Sequence, residues 1–161
     1  MSSTQNKRPD LLIQEVKKDA VERLFLLSQQ VGLNSWTLEH YSSELDKQGG
    51  FALVLSKSQQ DCAYLISSSL AGDVELLQMG VLHSFRRQGL ARILMHKFLH
   101  HCHSVQAERV FLEVRSSNAA AIALYLQVGF IQDGVRKAYY SNPVEDALLM
   151  SKKVYALQEN T

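Results

Sequence analysis

The stretch VELLQMGVLHSFRRQGLARILMHKFLHHCH, residues Val74 to His103, changes its period halfway. Val74 to Leu82 is an apolar run of strand length. Further on, Leu90, Leu94 and Phe98 share one face at about 100° per residue, the spacing of an amphipathic helix. Between the two stands Arg86-Arg87-Gln88-Gly89, basic and glycine-containing. The turn has two readings. In one, Arg86-x-x-Gly89-x-Ala91 sets backbone N–H groups and a small residue at a helix start. Unpaired amides and the helix dipole favour an anion there, and Gly89 lets a phosphate come close. In the other, it is a solvated basic turn with a glycine opening the helix.

The helix ends among histidines. His96, His100 and His103 lie together opposite Leu94, and His101 falls near the core face. His96 and His100 have the i,i+4 spacing that can bind a metal. No carboxylate or cysteine stands beside them on that face, and Cys102 points nearer the core. The expectation is a wet histidine face and no metal.

Working outward, LLIQEV (11–16) reads as a strand, and Val21, Leu24, Phe25, Leu27 and Val31 have helical spacing within Asp19 to Val31. Asn34 or Ser35 is the expected cap of a second helix running to about Leu45. After Gly49-Gly50, FALVLS (51–56) and CAYLISSS (62–69) form a hairpin across the polar turn KSQQD. RVFLEV (109–114) is a strand, and SNAAAIALYLQVGF (117–130) is an alanine-rich helix closed by Gly129 as a left-handed cap. Two more strands flank Ser141-Asn142-Pro143. The order β-α-α-β-β-β-α-β-α-β-β predicts a mixed α/β sheet of about seven strands with four helices, antiparallel early and with helical crossovers late.

The bulk composition narrows the function. A chain of 161 residues fits one domain with a real core. Apolar residues make up 46% and charged residues 20%, a globular balance. Net charge is +1, which argues for neither nucleic acid nor a membrane surface as partner. No apolar run approaches the roughly 20 residues of a membrane span. The start, MSSTQNKRPD, lacks the apolar region of a secretory leader. The only cysteines are Cys62 and Cys102, and a reducing cytoplasm is the expected location. Residues 1–9 and 156–161 are expected to be flexible, with a single domain over 10–155.

A second constellation follows the first. Glu113 sits inside an apolar strand, where a carboxylate must be paired, solvated at one face, or held neutral. Arg115, on the same face, is one available partner. Structural and catalytic readings of Glu113 are both open here. In the next helix Asn118, Ala121, Ile122 and Tyr125 form one stripe, whose alanines let a ligand lie close. Tyr125 is equally an ordinary core aromatic.

Together the two motifs carry a resemblance. MGVLHSFRRQGLARILM resembles the acetyl-CoA pyrophosphate motif of the GNAT superfamily of N-acetyltransferases, Arg/Gln-x-x-Gly-x-Gly/Ala after a strand. LEVRSSNAAAIALYLQVGF is similar to that superfamily's adjacent motif, most closely in its RimI-type branch, the ribosomal-protein alanine N-acetyltransferases. RKAYYSNPVEDALLMSKKV resembles that branch's ending, and Trp36 falls where it carries a tryptophan. The similarity spans about residues 10–153. The sequence departs from the pattern at Ala91, where many members have glycine, and at Gly80, where alanine is common. It departs again at Asn34-Ser35, where Phe-Pro usually precedes the tryptophan.

The resemblance implies a GNAT fold and transfer of an acetyl group from acetyl-CoA to a primary amine, without a metal. It implies that Met79, Val81, Arg86, Arg87, Gln88, Gly89, Leu90, Ala91, Arg92, Asn118, Ala121 and Tyr125 bind the cosubstrate. The attacking amine must be neutral, and an α-amine with pKa about 7.7–8.0 needs only a modest base. Glu113 is the candidate, directly or through water. The backbone N–H of Val81 is the candidate donor to the oxyanion. Tyr125 is by resemblance the general acid for the departing thiolate. Tyr139 and Tyr140 would line the acceptor groove, with Trp36 closing its other side, and Glu145 and Asp146 could help to attract a basic tail. The implied acceptor is the N-terminal alanine of a small-subunit ribosomal protein. A small amine, a lysine side chain, or a CoA-binding role without turnover stay open as alternatives.

Overall fold

The structure, a computed structural model, describes residues 10–154. The expectations for residues 1–9 and 156–161 fall outside it. The elements are β1 (Leu11–Glu15), a 3-10 turn (Lys18–Ala20), α1 (Val21–Val31), α2 (Leu38–Asp46), β2 (Phe51–Lys57), β3 (Gln60–Leu70), β4 (Asp73–Val81), α3 (Leu90–Ser104), β5 (Arg109–Arg115), α4 (Ala119–Gln127), β6 (Ile131–Tyr140) and β7 (Glu145–Lys153). The strands make one sheet in the order β1-β2-β3-β4-β5-β7-β6. Only β4 and β5 pair in parallel. The seven strands, four helices and their order are those the sequence predicts.

The unbroken apolar runs of β2 and β3 are buried residue after residue, so both faces of the sheet are covered there. On one side α1 lies against β3 and β4, and α2 against β2. On the other, α3 turns Leu90, Leu94, Met95, Phe98 and Cys102 onto β2, β3 and β4. Full burial of a side chain such as Leu94 or Phe98 is worth about 1.5–3 kcal/mol. Right-handed crossovers place α4 on the same side as α3. His101 is half-buried, its ring stacked on Phe51 at 3.5 Å. Burial, chiefly, pushes its pKa down.

The cap of α2 corrects the sequence reading. Neither Asn34 nor Ser35 caps it. The Thr37 hydroxyl accepts from the His40 N–H at 3.2 Å, and His40 Nδ1 accepts back from the Thr37 N–H at 3.2 Å. This reciprocal capping box fixes the helix start.

Two departures from regular geometry shape the middle of the sheet. Ser67 pairs with Leu76 but Ile66 pairs with Gln78, so Leu77 is an extra residue on β4. Such a bulge bends the strand that carries it. β4 and β5 accordingly pair only from Asp73 to Leu76 against Arg109 to Leu112. Past that point the strands part. Beyond the bulge, Gly80 faces α1: a Cβ there would stand 2.7 Å from Val31 Cγ1 and 3.0 Å from Tyr64 Cε1. That approach accounts for glycine in place of the family's alanine. Beside it, Tyr41 Oη at 2.5 Å and Tyr64 Oη at 3.0 Å both donate to Gln78 Oε1. This buried pair of hydroxyls holds the bent strand against α2.

Candidate active site

The gap between β4 and β5 opens at their C-terminal ends, where ligands of α/β sheets enter. Leu82 donates its N–H to Cys62 O at 2.8 Å on β3. Alternation along an antiparallel pair then turns the N–H groups of Met79 and Val81 the other way, into the gap. The gap is thus lined by main-chain donors that β5 does not take up.

The basic turn stands in front of this gap. Arg87 has φ 62° and Gly89 has φ 75°, both in the left-handed region. Gly89 is the N-cap of α3, and no side chain caps the helix. The first helical bond runs from Ile93 N to Gly89 O at 3.1 Å, so the amides of Leu90, Ala91 and Arg92 precede the ladder. A Cβ on Gly89 would meet nothing within 4 Å. The space before these amides is open, and the helix dipole points its positive end there. Arg86 Nε donates to Val81 O at 3.2 Å and ties the turn to the strand end. Gln88 Oε1 accepts from Lys57 Nζ at 2.5 Å and ties it to β2. Uncapped amides, exposed arginine charge and open space are a set of features that can take an anion such as a pyrophosphate. Gly89→Val is expected to keep the fold and abolish acetyl-CoA binding. Its β-branched side chain fills the open space, and the left-handed backbone adds about 1–2 kcal/mol of strain. Calorimetric titration of the folded variant checks this; unchanged affinity refutes the cradle.

Across the gap, Asn118 caps α4, its Oδ1 accepting from the Ala121 N–H at 3.2 Å. That bond leaves the Asn118 amide NH2 as the group free to face a ligand. Tyr125 is 7% exposed and packs on Phe130 at 5.7 Å. Burial first, then neighbouring Tyr140, push its phenol up to about 12.

The other wall of the site is built by β5, β6 and β7. Glu113 Oε1 lies 3.3 Å from Arg136 Nη1, and the carboxylate is 23% exposed. Arg115, the partner available in sequence, turns away: its Nη1 donates to Glu145 Oε2 at 3.2 Å. Each takes its partner from another strand: Arg115 from β7, the direct neighbour of β5, and Glu113 from β6, whose long Arg136 side chain reaches across β7. Tyr139 and Tyr140 meet edge to face at 5.0 Å. A hydrogen bond to Glu113, then its charge, holds the Tyr139 phenol above its ordinary value. Burial first, then Glu113, does the same to Tyr140. Glu113, Tyr139, Tyr140 and Tyr125 thus form one continuous group of neighbours. Trp36 stands on the helix side, packed on Tyr41 at 5.0 Å.

Glu145 and Asp146 are both engaged by partners within the protein. Glu145 accepts from Ser117 N at 2.5 Å and from Ser116 Oγ at 3.2 Å besides Arg115, and these partners hold its carboxyl low. Asp146 accepts from Ala138 N at 2.9 Å and Lys137 Nζ at 3.1 Å. Both carboxylates anchor loops of the site.

His96 and His100 are exposed, and His103 is half-buried. Among the described residues no three His, Cys, Asp or Glu side chains converge on a metal position. Shallow cavities of about 460 and 710 Å³ lie around Asp73 and Gly72, at the opposite end of the sheet from the gap. Sequence reasoning missed Arg136, although it lies three residues before the first tyrosine. It also missed Gln78, a polar residue in an apolar strand whose need for buried partners was the available signal.

A bent strand that leaves its parallel neighbour before an uncapped basic helix start offers an anionic carrier a place beside open main-chain donors. The chain belongs to the acetyltransferase (GNAT) family, whose profile matches residues 19–130. It is 31% identical over 145 residues to the ribosomal protein bS18-alanine N-acetyltransferase of Haemophilus ducreyi, covering 87% of this chain and 98% of that one. It is 33% identical over 99 residues to the enzyme of the same name in Escherichia coli K12, covering 60% and 67%. Its fold is similar to the crystal structure of the ribosomal-protein-S18-alanine N-acetyltransferase from Escherichia coli, with TM-score 0.84 and 25% identity over 94% of this chain and 98% of that one. Arabidopsis thaliana NAA60 in complex with acetyl-CoA shares the fold at TM-score 0.77 and 15% identity, covering 89% and 98%. This chain is an N-acetyltransferase that uses acetyl-CoA.

Proposed function

We propose that this chain acetylates the N-terminal α-amine of a protein, and that its acceptor is the N-terminal alanine of ribosomal protein bS18, in the cytoplasm. The observation that carries the reading is the pair Tyr139 and Tyr140, edge to face at 5.0 Å, beside the Glu113 carboxylate and the Tyr125 phenol. Two relatives matched over nearly their whole length, that of Haemophilus ducreyi and the Escherichia coli structure, bear that activity in their names.

When bound, acetyl-CoA supplies an activated acetyl thioester. The amides of Gly89, Leu90, Ala91 and Arg92, with Arg86, Arg87 and Gln88, would hold its pyrophosphate. Asn118 and Ala121 would hold the pantetheine side, with Met79 and Leu90 beside it. The Val81 N–H, which faces the gap, would donate to the oxyanion. Glu113 takes the proton of the amine, directly or through water. Tyr125 donates to the departing sulfur. Tyr139, Tyr140 and Trp36 border the entering N-terminus. Mass spectrometry of alanine-initiated peptides incubated with acetyl-CoA tests the reading. One acetyl group on the α-nitrogen is expected; acetylation only of lysine side chains or of small amines replaces it.

A further inference from the structure

The reaction as described gives Arg136 no task. Its position is nonetheless specific. It reaches from β6 to Glu113 at 3.3 Å, and its guanidinium lies 4.9 Å over the Tyr139 ring. Glu75 on β4 pairs with Phe111, two positions before Glu113, so both carboxylates project from one face of adjacent strands. Glu44 of α2 also faces this group. Partial burial, then the Glu113 and Glu44 charges, push the Glu75 pKa up, and Arg136 pulls it down. One guanidinium is therefore set among carboxylates and over an aromatic face, the surroundings that recognise a cation.

The hold on it is light. The recorded ion pair is one Nη1–Oε1 approach, and the Arg136 side chain is 53% exposed. An exposed pair of this kind weighs only about twofold to fivefold in an equilibrium. Another cation can replace it. An α-amine with pKa about 7.7–8.0 arrives largely as ammonium at neutral pH, and it must reach Glu113.

We propose that Arg136 is a tethered stand-in for the acceptor's ammonium, occupying the place between Glu113, Glu75 and Tyr139 in the free enzyme and leaving it when the amine enters. This rests on the N-terminal acetyltransferase reading. Arg136 acts as a positioning and selecting residue. A guanidinium does not give up its proton at these pH values, so it keeps the place without acting as an acid. The incoming ammonium does have a proton to give. Glu113, directly or through water, relays that proton to solvent, and the nitrogen keeps the lone pair it needs. A neutral group lacks the charge to displace Arg136.

Two measurements test this. In steady-state kinetics at saturating acetyl-CoA, Arg136→Met is expected to lower the KM of an alanine-initiated peptide about twofold to fivefold, and Arg136→Lys to lower it less. A KM that is unchanged or raised overturns the proposal. The second measurement needs no turnover. The Arg136 Nε–H resonance, assigned by its loss in Arg136→Lys, is followed in the CoA-bound protein while alaninamide is added. It is expected to move toward its position in Glu113→Gln, where the pair is broken. A resonance that stays in place at saturating alaninamide overturns the proposal. If the wild-type enzyme makes no acetylated peptide, the N-terminal reading fails, and the resonance still decides the place of Arg136.

Discussion

Tyr125→Phe is expected to lower kcat about ten- to several-hundred-fold while the KM for acetyl-CoA changes little. Phenylalanine keeps the ring that packs on Phe130 at 5.7 Å, so only the hydroxyl is lost. Its pKa decides how that hydroxyl acts. Burial and Tyr140 push it up to about 12, whereas an ordinary thiol sits near 8.5. Full proton transfer from such a phenol to a thiolate is uphill by over three units. In the proposed mechanism Tyr125 then serves as a hydrogen-bond donor to the sulfur as charge develops there. The upward shift also keeps it protonated throughout the neutral range. Wild-type kcat should show no basic limb from Tyr125 between pH 6 and about 10. Single-turnover rates across that range check both points. A variant with normal kcat removes Tyr125 from the chemistry. A variant with a much lower Tm and weakened CoA binding makes it a packing residue.

Glu113→Gln is expected to lower kcat/KM about 10²–10⁴-fold near pH 7. The defect should shrink as the pH rises. Between pH 7 and 9 the neutral fraction of an α-amine grows about eightfold, and the variant gains as the need for a base falls. Stability should change little. The lost ion pair joins Glu113 to a half-exposed Arg136, and such pairs are worth under about 1 kcal/mol. A purely structural Glu113 gives the opposite pattern: a lower Tm and a rate defect independent of pH. Parallel pH–rate and melting profiles of wild type and variant separate the two.

What the sequence made legible was whatever a short segment determines alone. The face Leu90-Leu94-Phe98 determines α3, and the unbroken apolar runs determine β2 and β3. The cradle motif was legible because Arg87, Gly89 and the first amides of α3 all belong to one turn. Choices made between segments were not. Asn34, Ser35 and Thr37 are all good caps, and only the imidazole of His40, accepting back from Thr37, selects among them. Glu113 and Arg115 stand two apart in sequence, yet each takes its partner from another strand. The bulge at Leu77 leaves no mark in an apolar run that suits either face, so the gap it opens was readable only through resemblance.

The kink in β6 has a consequence for how these molecules meet one another. Arg136 pairs with Ala147 and Tyr140 with Glu145, which leaves extra residues on β6, and Ala138 takes φ 48° with its N–H given to Asp146. β6 is also an edge strand of the sheet, and Ile131 and Val135 are exposed on it. A straight apolar strand in that position would be a template on which a second chain could add its own. The kink breaks the row of free backbone groups after a few residues, and Lys137 places a charge at the break. The carboxylate of Asp146 therefore does more than anchor a loop of the site: it interrupts an edge that could otherwise seed aggregation.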